Sequence, residues 1–235
     1  MPVNNIKMYH IIRDIDGTDG LTELSTMLSG EYTLESFTFA NNIYNVSARN
    51  NVLPYHEGVT FSELTLKEQY CDGDDIATDI ASKINAVSAG TATATFDSNT
   101  QQFTITNTLP FSLKFGDKYD NMSNELLGFT TKNTAEGITS ITSDITADLT
   151  PFKYIKIDIN DGKGKNVVDQ SYAVNTFLVQ GQSNFGENFV YRAKDYTSEP
   201  QRVVLPPLRT MRIEFTDDKN KAISPTNWHL ILRST

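Results

Sequence analysis

The sequence predicts an all-β protein, an antiparallel sandwich with one inserted amphipathic helix and hairpin. The 235-residue chain is rich in Thr, Phe, Tyr, Asn and Ser, which favour strands and the turns between them. Short runs of alternating apolar and polar residues recur at the spacing typical of a sandwich. One segment alone has a clear helical period, whereas a parallel α/β sheet needs a helix after most strands.

The predicted helix covers residues 75–86, and Asp74 before it is expected to cap its first turn. Apolar residues recur there every three or four positions and form one stripe, namely Ile76, Ala77, Ile80, Ala81 and Ile84. The period then changes to two over residues 91–96 and 103–106, on either side of a turn-forming segment. The sequence therefore predicts a hairpin whose apolar face packs on the helix.

A third strand is predicted over residues 111–115, after Pro110, and the module ends at Leu126-Leu127-Gly128-Phe129. Residues 133–144 are rich in Thr, Ser and Gly and predict a loop or an extended connector. Together these features define an inserted helix-hairpin module near 72–130.

Further strand patterns lie on both sides of this module, at residues 36–46, 59–70, 154–159, 177–179, 189–191, 202–205, 211–215 and 228–232. We predict that residues 32–70 and 152–235 form one sandwich, so that residues 31–235 make one domain. Residues 154–159 and the C-terminal strands are then expected to pair with strands that precede residue 70.

Residues 1–30 are predicted to be an N-terminal arm or a lead-in strand. One short apolar run lies at residues 8–12. A turn or two of helix is expected further on, with Leu21, Leu24 and Leu28 on one side.

Charge and composition exclude several classes of function. The formal net charge is −9 and the basic residues are scattered, which disfavours binding to nucleic acid or to an anionic membrane. No apolar run approaches the roughly 18 residues of a membrane-spanning helix, and the first residues lack the pattern of a signal peptide. The single cysteine, Cys71, allows no internal disulfide, and Asp72 and Asp74 beside it disfavour a reactive thiolate.

The sharpest catalytic pattern is an apolar strand followed by Asp14 and Asp16, which resembles the first motif of haloacid dehalogenase-like phosphotransferases. In that family the first aspartate is the nucleophile and the second is the acid/base, with a metal ion between them and the phosphate. The family needs repeated βα units after the motif, but here the chain continues into Thr- and Phe-rich strands. We therefore predict no catalytic residues and no enzyme, and keep the phosphotransferase as an alternative.

No metal or cofactor site is predicted. Asp14, Asp16 and Asp19 could face a divalent cation, but an EF-hand loop counted from Asp14 places Ser25 where a glutamate is required. The three histidines, His10, His56 and His229, are far apart in sequence and lack close metal-ligand spacing. Solvated or hydrogen-bonded histidines are expected, and cation binding by the aspartates stays an open question.

Several of these segments resemble one family. The strand at residues 36–46, residues 50–53, the helix, the hairpin, residues 124–129 and the tail at 208–217 and 228–232 carry the resemblance. Together they are similar to jelly-roll minor capsid and penton proteins of large double-stranded DNA viruses and their polinton and virophage relatives. The resemblance covers most of residues 32–235 and leaves residues 1–30 uncovered.

The resemblance implies a jelly roll and a structural virion protein, a minor capsid or penton (vertex) subunit without catalysis. Its partners would be other copies of the chain, as a pentamer in a penton, and the major capsid protein. It would lie in the capsid of a virion assembled inside the host cell. The arm and the loops at 133–144 and 180–187 are the expected contact segments.

A further alternative is a β-sandwich module that binds a receptor or a carbohydrate. Surface exposure of Tyr191, Tyr196 and Trp228 would favour it.

Overall fold

The computed structural model describes residues 8–13, 21–116, 122–130, 134, 136–160, 176–181, 183–193, 201–218, 222–223 and 225–234. These residues form twelve strands and two helices, and every pairing between the strands is antiparallel, which confirms the all-β prediction. The chain divides into two compact units. The first unit comprises Met1–Ile43 and Phe152–Thr235, and the second comprises Tyr44–Pro151.

The first unit contains one seven-stranded sheet. Its strands are β1 (Met8–Arg13), β2 (Leu21–Ala40), β8 (Tyr154–Asn160), β9 (Thr176–Gln180), β10 (Asn188–Arg192), β11 (Arg202–Asp217) and β12 (Thr226–Ser234). The order across the sheet is β1-β12-β2-β11-β8-β9, and β10 also pairs with β2. The prediction that the C-terminal strands pair with a strand before residue 70 is confirmed, because both β11 and β12 pair with β2. The same prediction is wrong for residues 154–159, because β8 pairs with β11 and β9, which both follow residue 70.

The strand β2 is longer than the sequence pattern suggested. Residues 21–29, expected in an arm or a short helix, extend this strand and pair with β11, where Thr22 lies opposite Met211. The backbone hydrogen bonds with β11 stabilise a strand here more than the helical spacing of Leu21, Leu24 and Leu28 stabilises a helix. Gly30 has a φ of +113° and lies opposite Leu205, where the register of the β2–β11 ladder shifts. A residue without a Cβ is favoured at this irregularity.

Aromatic side chains fill the core of the first unit. The Phe37 ring lies 5.5 Å from Phe39, 5.4 Å from Phe215 and 6.3 Å from Phe189, measured between ring centroids. Trp228 packs edge-on against Phe215 at 5.2 Å. Because these rings come from β2, β10, β11 and β12, one aromatic cluster joins a strand from the first part of the chain to strands from the last part.

The second unit contains a five-stranded sheet and both helices. Its elements are β3 (Val52–Glu57), β4 (Thr60–Thr65), α1 (Gly73–Asn85), β5 (Ala92–Asp97), β6 (Gln102–Leu113), α2 (Asn124–Leu127) and β7 (Ile138–Thr142). The order is β4-β3-β6-β5, and β7 also pairs with β6. Residues 52–65 thus pair with each other and with the hairpin, as Tyr55 does with Leu113, rather than with the C-terminal strands as expected.

The predicted helix and hairpin are present with small differences. Ile76, Ala77, Ile80 and Ile84 of α1 are buried, as the stripe predicts, and β5 pairs with β6 in a register that sets Phe96 opposite Phe103. The helix cap is Asp72 rather than Asp74, since the Asp72 side chain accepts a 2.9 Å hydrogen bond from the Asp75 backbone N–H. Gly73 has helical geometry already, which moves the cap two residues earlier.

Two segments of the second unit differ from the sequence prediction. The strand β6 continues through Pro110 to Leu113, so residues 111–113 extend it instead of beginning a third strand. The proline is tolerated there because the ladder with β7 is irregular between Thr106 and Phe111. Residues 138–142, expected in a loop or an extended connector, form the strand β7. The Thr- and Ser-rich sequence does not reveal that this segment pairs with β6.

Candidate interaction surface

A depression of about 700 Å³ opens in the second unit beside the turn between β3 and β4. Its lining includes His56, Glu57, Val59, Leu109, Phe111 and Glu136. The register explains the meeting of these segments, because β3 pairs with β4 on one side and with the end of β6 on the other. A polar wall and an apolar wall therefore face the same space.

The polar wall is organised around the Glu57 carboxylate. Its Oε2 accepts hydrogen bonds from the Tyr55 hydroxyl and the Ser88 hydroxyl, each at 2.5 Å, and from the Asn107 side-chain amide at 3.1 Å. Its Oε1 accepts one bond, from the backbone N–H of Ala89 at 3.2 Å. A carboxylate has about four lone-pair positions, so Oε1 keeps capacity for a further donor.

This network fixes the charge of Glu57. Burial alone would raise the pKa of Glu57, but the hydrogen bonds from Ser88, Tyr55, Ala89 and Asn107 outweigh it and lower that pKa below its ordinary value. Burial and the hydrogen bond to Glu57 raise the pKa of the Tyr55 hydroxyl to about 12. At neutral pH the site therefore holds a carboxylate and a neutral phenol that donates to it.

The apolar wall is exposed to an unusual degree. Val59 is 100% exposed and Leu109 37%, and both line the depression. An isolated apolar side chain on a surface is common, but apolar side chains grouped around a depression are typical of an interaction surface.

The negative charge of the chain is concentrated in the second unit. Residues 44–151 contain six lysines and arginines and fourteen aspartates and glutamates, a formal net charge of −8. The whole chain carries −9, which leaves −1 for the first unit. The depression thus lies in a strongly acidic part of the protein, which attracts cationic groups at low ionic strength.

The residues of the catalytic alternative lie outside the described part of the chain. These residues are Asp14 and Asp16. Asp19, the third aspartate considered as a cation ligand, also lies outside the described residues. Cys71 is buried. Its burial and the nearby aspartates raise the pKa of its thiol to about 11, although a hydrogen bond with Gln69 acts in the opposite direction. This agrees with the expectation of an unreactive thiol.

Among the described residues no group of three or more His, Cys, Asp and Glu side chains is placed to hold a metal ion. Within the same residues, no helix has the length and apolar character required to span a membrane.

Two of the three aromatic residues named for the receptor-binding alternative are buried in the structure. Tyr191 and Trp228 are buried in the core of the first unit, and Tyr196 lies outside the described residues. Both buried rings are explained by packing. Of the predicted contact loops, residues 138–142 form β7, while residues 181 and 183–187 follow β9 and expose Phe185 by 38%.

The structure joins two histidines that the sequence separates by 219 positions. His10 on β1 and His229 on β12 lie on adjacent strands, with 3.2 Å between Nδ1 of His10 and Nε2 of His229 and 5.3 Å between ring centroids. A hydrogen bond between two imidazole nitrogens needs a lone pair on one of them, so at least one ring is neutral. Sequence analysis missed this pair because only the register of β1 on β12 creates it.

Acidification is expected to destabilise the first unit through this pair. Burial and the neighbouring His10 lower the pKa of His229 below its ordinary 6.5, so the unfolded chain binds more protons than the folded chain. The contribution of His229 to stability is then fully present above its ordinary pKa of 6.5, and it is lost as the pH falls through the lower pKa of the folded state. Denaturant unfolding between about pH 7.5 and about pH 5.5 checks this. His229→Gln should reduce the change of the unfolding free energy with pH. An unchanged pH dependence in that variant would contradict the assignment of the effect to His229.

Comparison with known proteins gives a match of fold. A scan of protein-family models and a search of curated proteins found no match. Among solved structures, the chain is similar to the crystal structure of the selenomethionine-labelled mavirus penton protein, with a TM-score of 0.52 and 12% sequence identity. The alignment covers 98% of this chain and 99% of the penton chain. The fold is penton-like.

The penton-like fold agrees with the antiparallel, jelly-roll-like architecture that the sequence predicts. Because the match extends over nearly the whole of both chains, it includes the inserted second unit as well as the first. At 12% identity the match concerns the path of the backbone.

Proposed function

We propose that the protein is a structural virion protein, a penton or another minor capsid subunit that assembles through repeated symmetric contacts. The observation that carries the proposal is the match over 98% of this chain and 99% of a mavirus penton protein. Two further features support it. The first unit is a seven-stranded sheet around an aromatic core, and the second unit exposes apolar side chains next to a depression. Capsid subunits need both stiffness and contact surfaces.

Native mass spectrometry of the purified protein, over a series of concentrations, tests the assembly. A pentamer is expected for a vertex subunit, because five copies surround a five-fold axis. A trimer would contradict the vertex position. A strict monomer that also fails to bind assembled capsid shells of the same virus would contradict the capsid role altogether.

A phosphatase assay with magnesium and generic phosphate esters addresses the enzymatic alternative. No turnover is expected above the level of the Asp14→Asn variant. Magnesium-dependent activity that this substitution abolishes would replace the structural proposal with the phosphotransferase.

A further inference from the structure

The Glu57 carboxylate lacks a cationic partner in the described part of the chain. The four groups that bind it, from Tyr55, Ser88, Ala89 and Asn107, are all uncharged donors. The lysine of the neighbouring region, Lys114, is engaged elsewhere, at 2.6 Å from Glu136. An ionised carboxylate held in place by neutral donors is a preorganised acceptor, because it needs no rearrangement to receive a cation.

The hydrogen bonds around Glu57 are anchored in the core and so keep its position. Tyr55 is buried and stacks on Phe111 at 5.7 Å between ring centroids. Asn107 is buried too, and its side-chain amide also donates to the Tyr55 hydroxyl at 2.7 Å and to the Ser88 hydroxyl at 2.9 Å. A surface carboxylate without such support would lose side-chain entropy on binding, whereas Glu57 has already lost it.

The opposite wall suits the hydrocarbon part of a basic side chain. Val59, Leu109 and Pro110 line the depression, and Val59 and Leu109 are exposed. Lysine and arginine carry three or four methylene groups that pack on apolar surface while the charged end reaches a polar group. The volume of about 700 Å³ accommodates one such side chain with some of the flanking backbone.

We infer that this depression binds a basic side chain, arginine or lysine, presented by a partner protein. The charged end lies against Glu57, where Oε1 accepts a hydrogen bond, and the stem packs on Val59 and Leu109. The net charge of −8 on residues 44–151 draws a basic partner towards this surface. The inference concerns the chemistry of the partner and does not depend on the capsid role.

The test uses the full chain and three small probes: arginine, lysine and citrulline, each blocked at both ends as the acetyl amide. Citrulline has the shape of arginine without the charge. Ligand-observed NMR titration should give a dissociation constant on the order of 1 mM for arginine or lysine at low salt. Binding should weaken roughly tenfold for citrulline, and should also weaken as salt rises.

Two variants with the same change of charge locate the site. Glu57→Gln should weaken binding of the basic probe roughly tenfold, whereas Asp97→Asn should stay within about twofold of the unaltered chain. Asp97 is an exposed carboxylate of the β5–β6 turn, where asparagine can keep the hydrogen bonds to the backbone N–H groups of Asn99 and Thr100. Equal binding of arginine and citrulline, equal effects of the two variants, or no saturable binding would overturn the inference. The citrulline arm decides the matter even where Glu57→Gln fails to fold.

Discussion

Replacement of Gly128 by alanine is expected to lower the free energy of unfolding by about 2–4 kcal/mol. Gly128 has a φ of +81°, which residues with a Cβ rarely adopt. An added Cβ would also lie 2.3 Å from the backbone oxygen of Ile145 and 3.2 Å from the backbone nitrogen of Ala147. Backbone atoms cannot rotate away as a side chain can, so strain and collision add.

Gly128 lies where two hydrogen-bonded segments of the second unit meet, so these segments cannot easily move apart to admit a methyl group. Its N–H bonds to the Glu125 oxygen at 3.3 Å and closes the short helix α2, while its own oxygen accepts a 3.0 Å bond from the Ile145 N–H. Moving the two segments apart to admit a methyl group would break that second bond. The glycine therefore holds α2 against the chain that follows β7.

Gly137→Ala is the matched control for Gly128. Gly137 has a φ of +73°, but an added Cβ would meet nothing within 4 Å. The Gly137→Ala variant should lose only the part of the unfolding free energy that depends on the positive φ, about 1 kcal/mol. Chemical denaturation of both variants gives the difference, which measures the collision. Equal losses would show that the close approach at Ile145 is relieved without cost.

Truncation of Phe37 to alanine is expected to cost about 3–5 kcal/mol, because it opens a large cavity in the core of the first unit. Phe37 is fully buried and contacts Phe39, Phe189 and Phe215, which lie on three different strands. Surrounding strands are tied into one sheet and cannot collapse freely into the space. The midpoint of denaturant unfolding is the measurement.

Phe61→Ala removes the same side chain from the surface of the second unit and serves as the control. Phe61 is 46% exposed, so its loss should cost less than about 1 kcal/mol. A comparable loss in the two variants would contradict the division between core and surface. It would also indicate that Phe61 is covered in an assembled form of the protein.

The parts of the fold that sequence analysis predicted are those in which the signal is local. The buried stripe of α1 and the alternation of β5 and β6 are visible within a few residues, and both are present. Elements that depend on a distant partner were missed or misplaced. The two isoleucines of β7, Ile138 and Ile141, are three positions apart and show no strand period, and residues 21–29 become strand through pairing with β11. Neither partner can be identified from local spacing.

The candidate surface was harder to predict than the fold. The residue types of His56 and Cys71 mark them as candidate chemical groups in the sequence, whereas nothing in the sequence distinguishes Glu57 from other surface glutamates. Its role depends on Ser88 and Asn107, which lie 31 and 50 positions away and meet it only in the folded unit. The His10–His229 contact has the same origin over a longer separation. A pattern of residue types at fixed spacing cannot signal such sites.

The position of the second unit within the chain has a consequence for synthesis on the ribosome. Among the described residues, every strand pairing of the second unit lies between residues 44 and 151, so this unit can fold while the chain is still growing. The first unit must wait, because β2 pairs with β12 near the end of the chain, as Thr33 does with Arg233. During that interval β2 lies unpaired with both its edges open to other chains. The net charge of −8 on residues 44–151 is then an advantage, because the folded second units of neighbouring nascent chains repel each other.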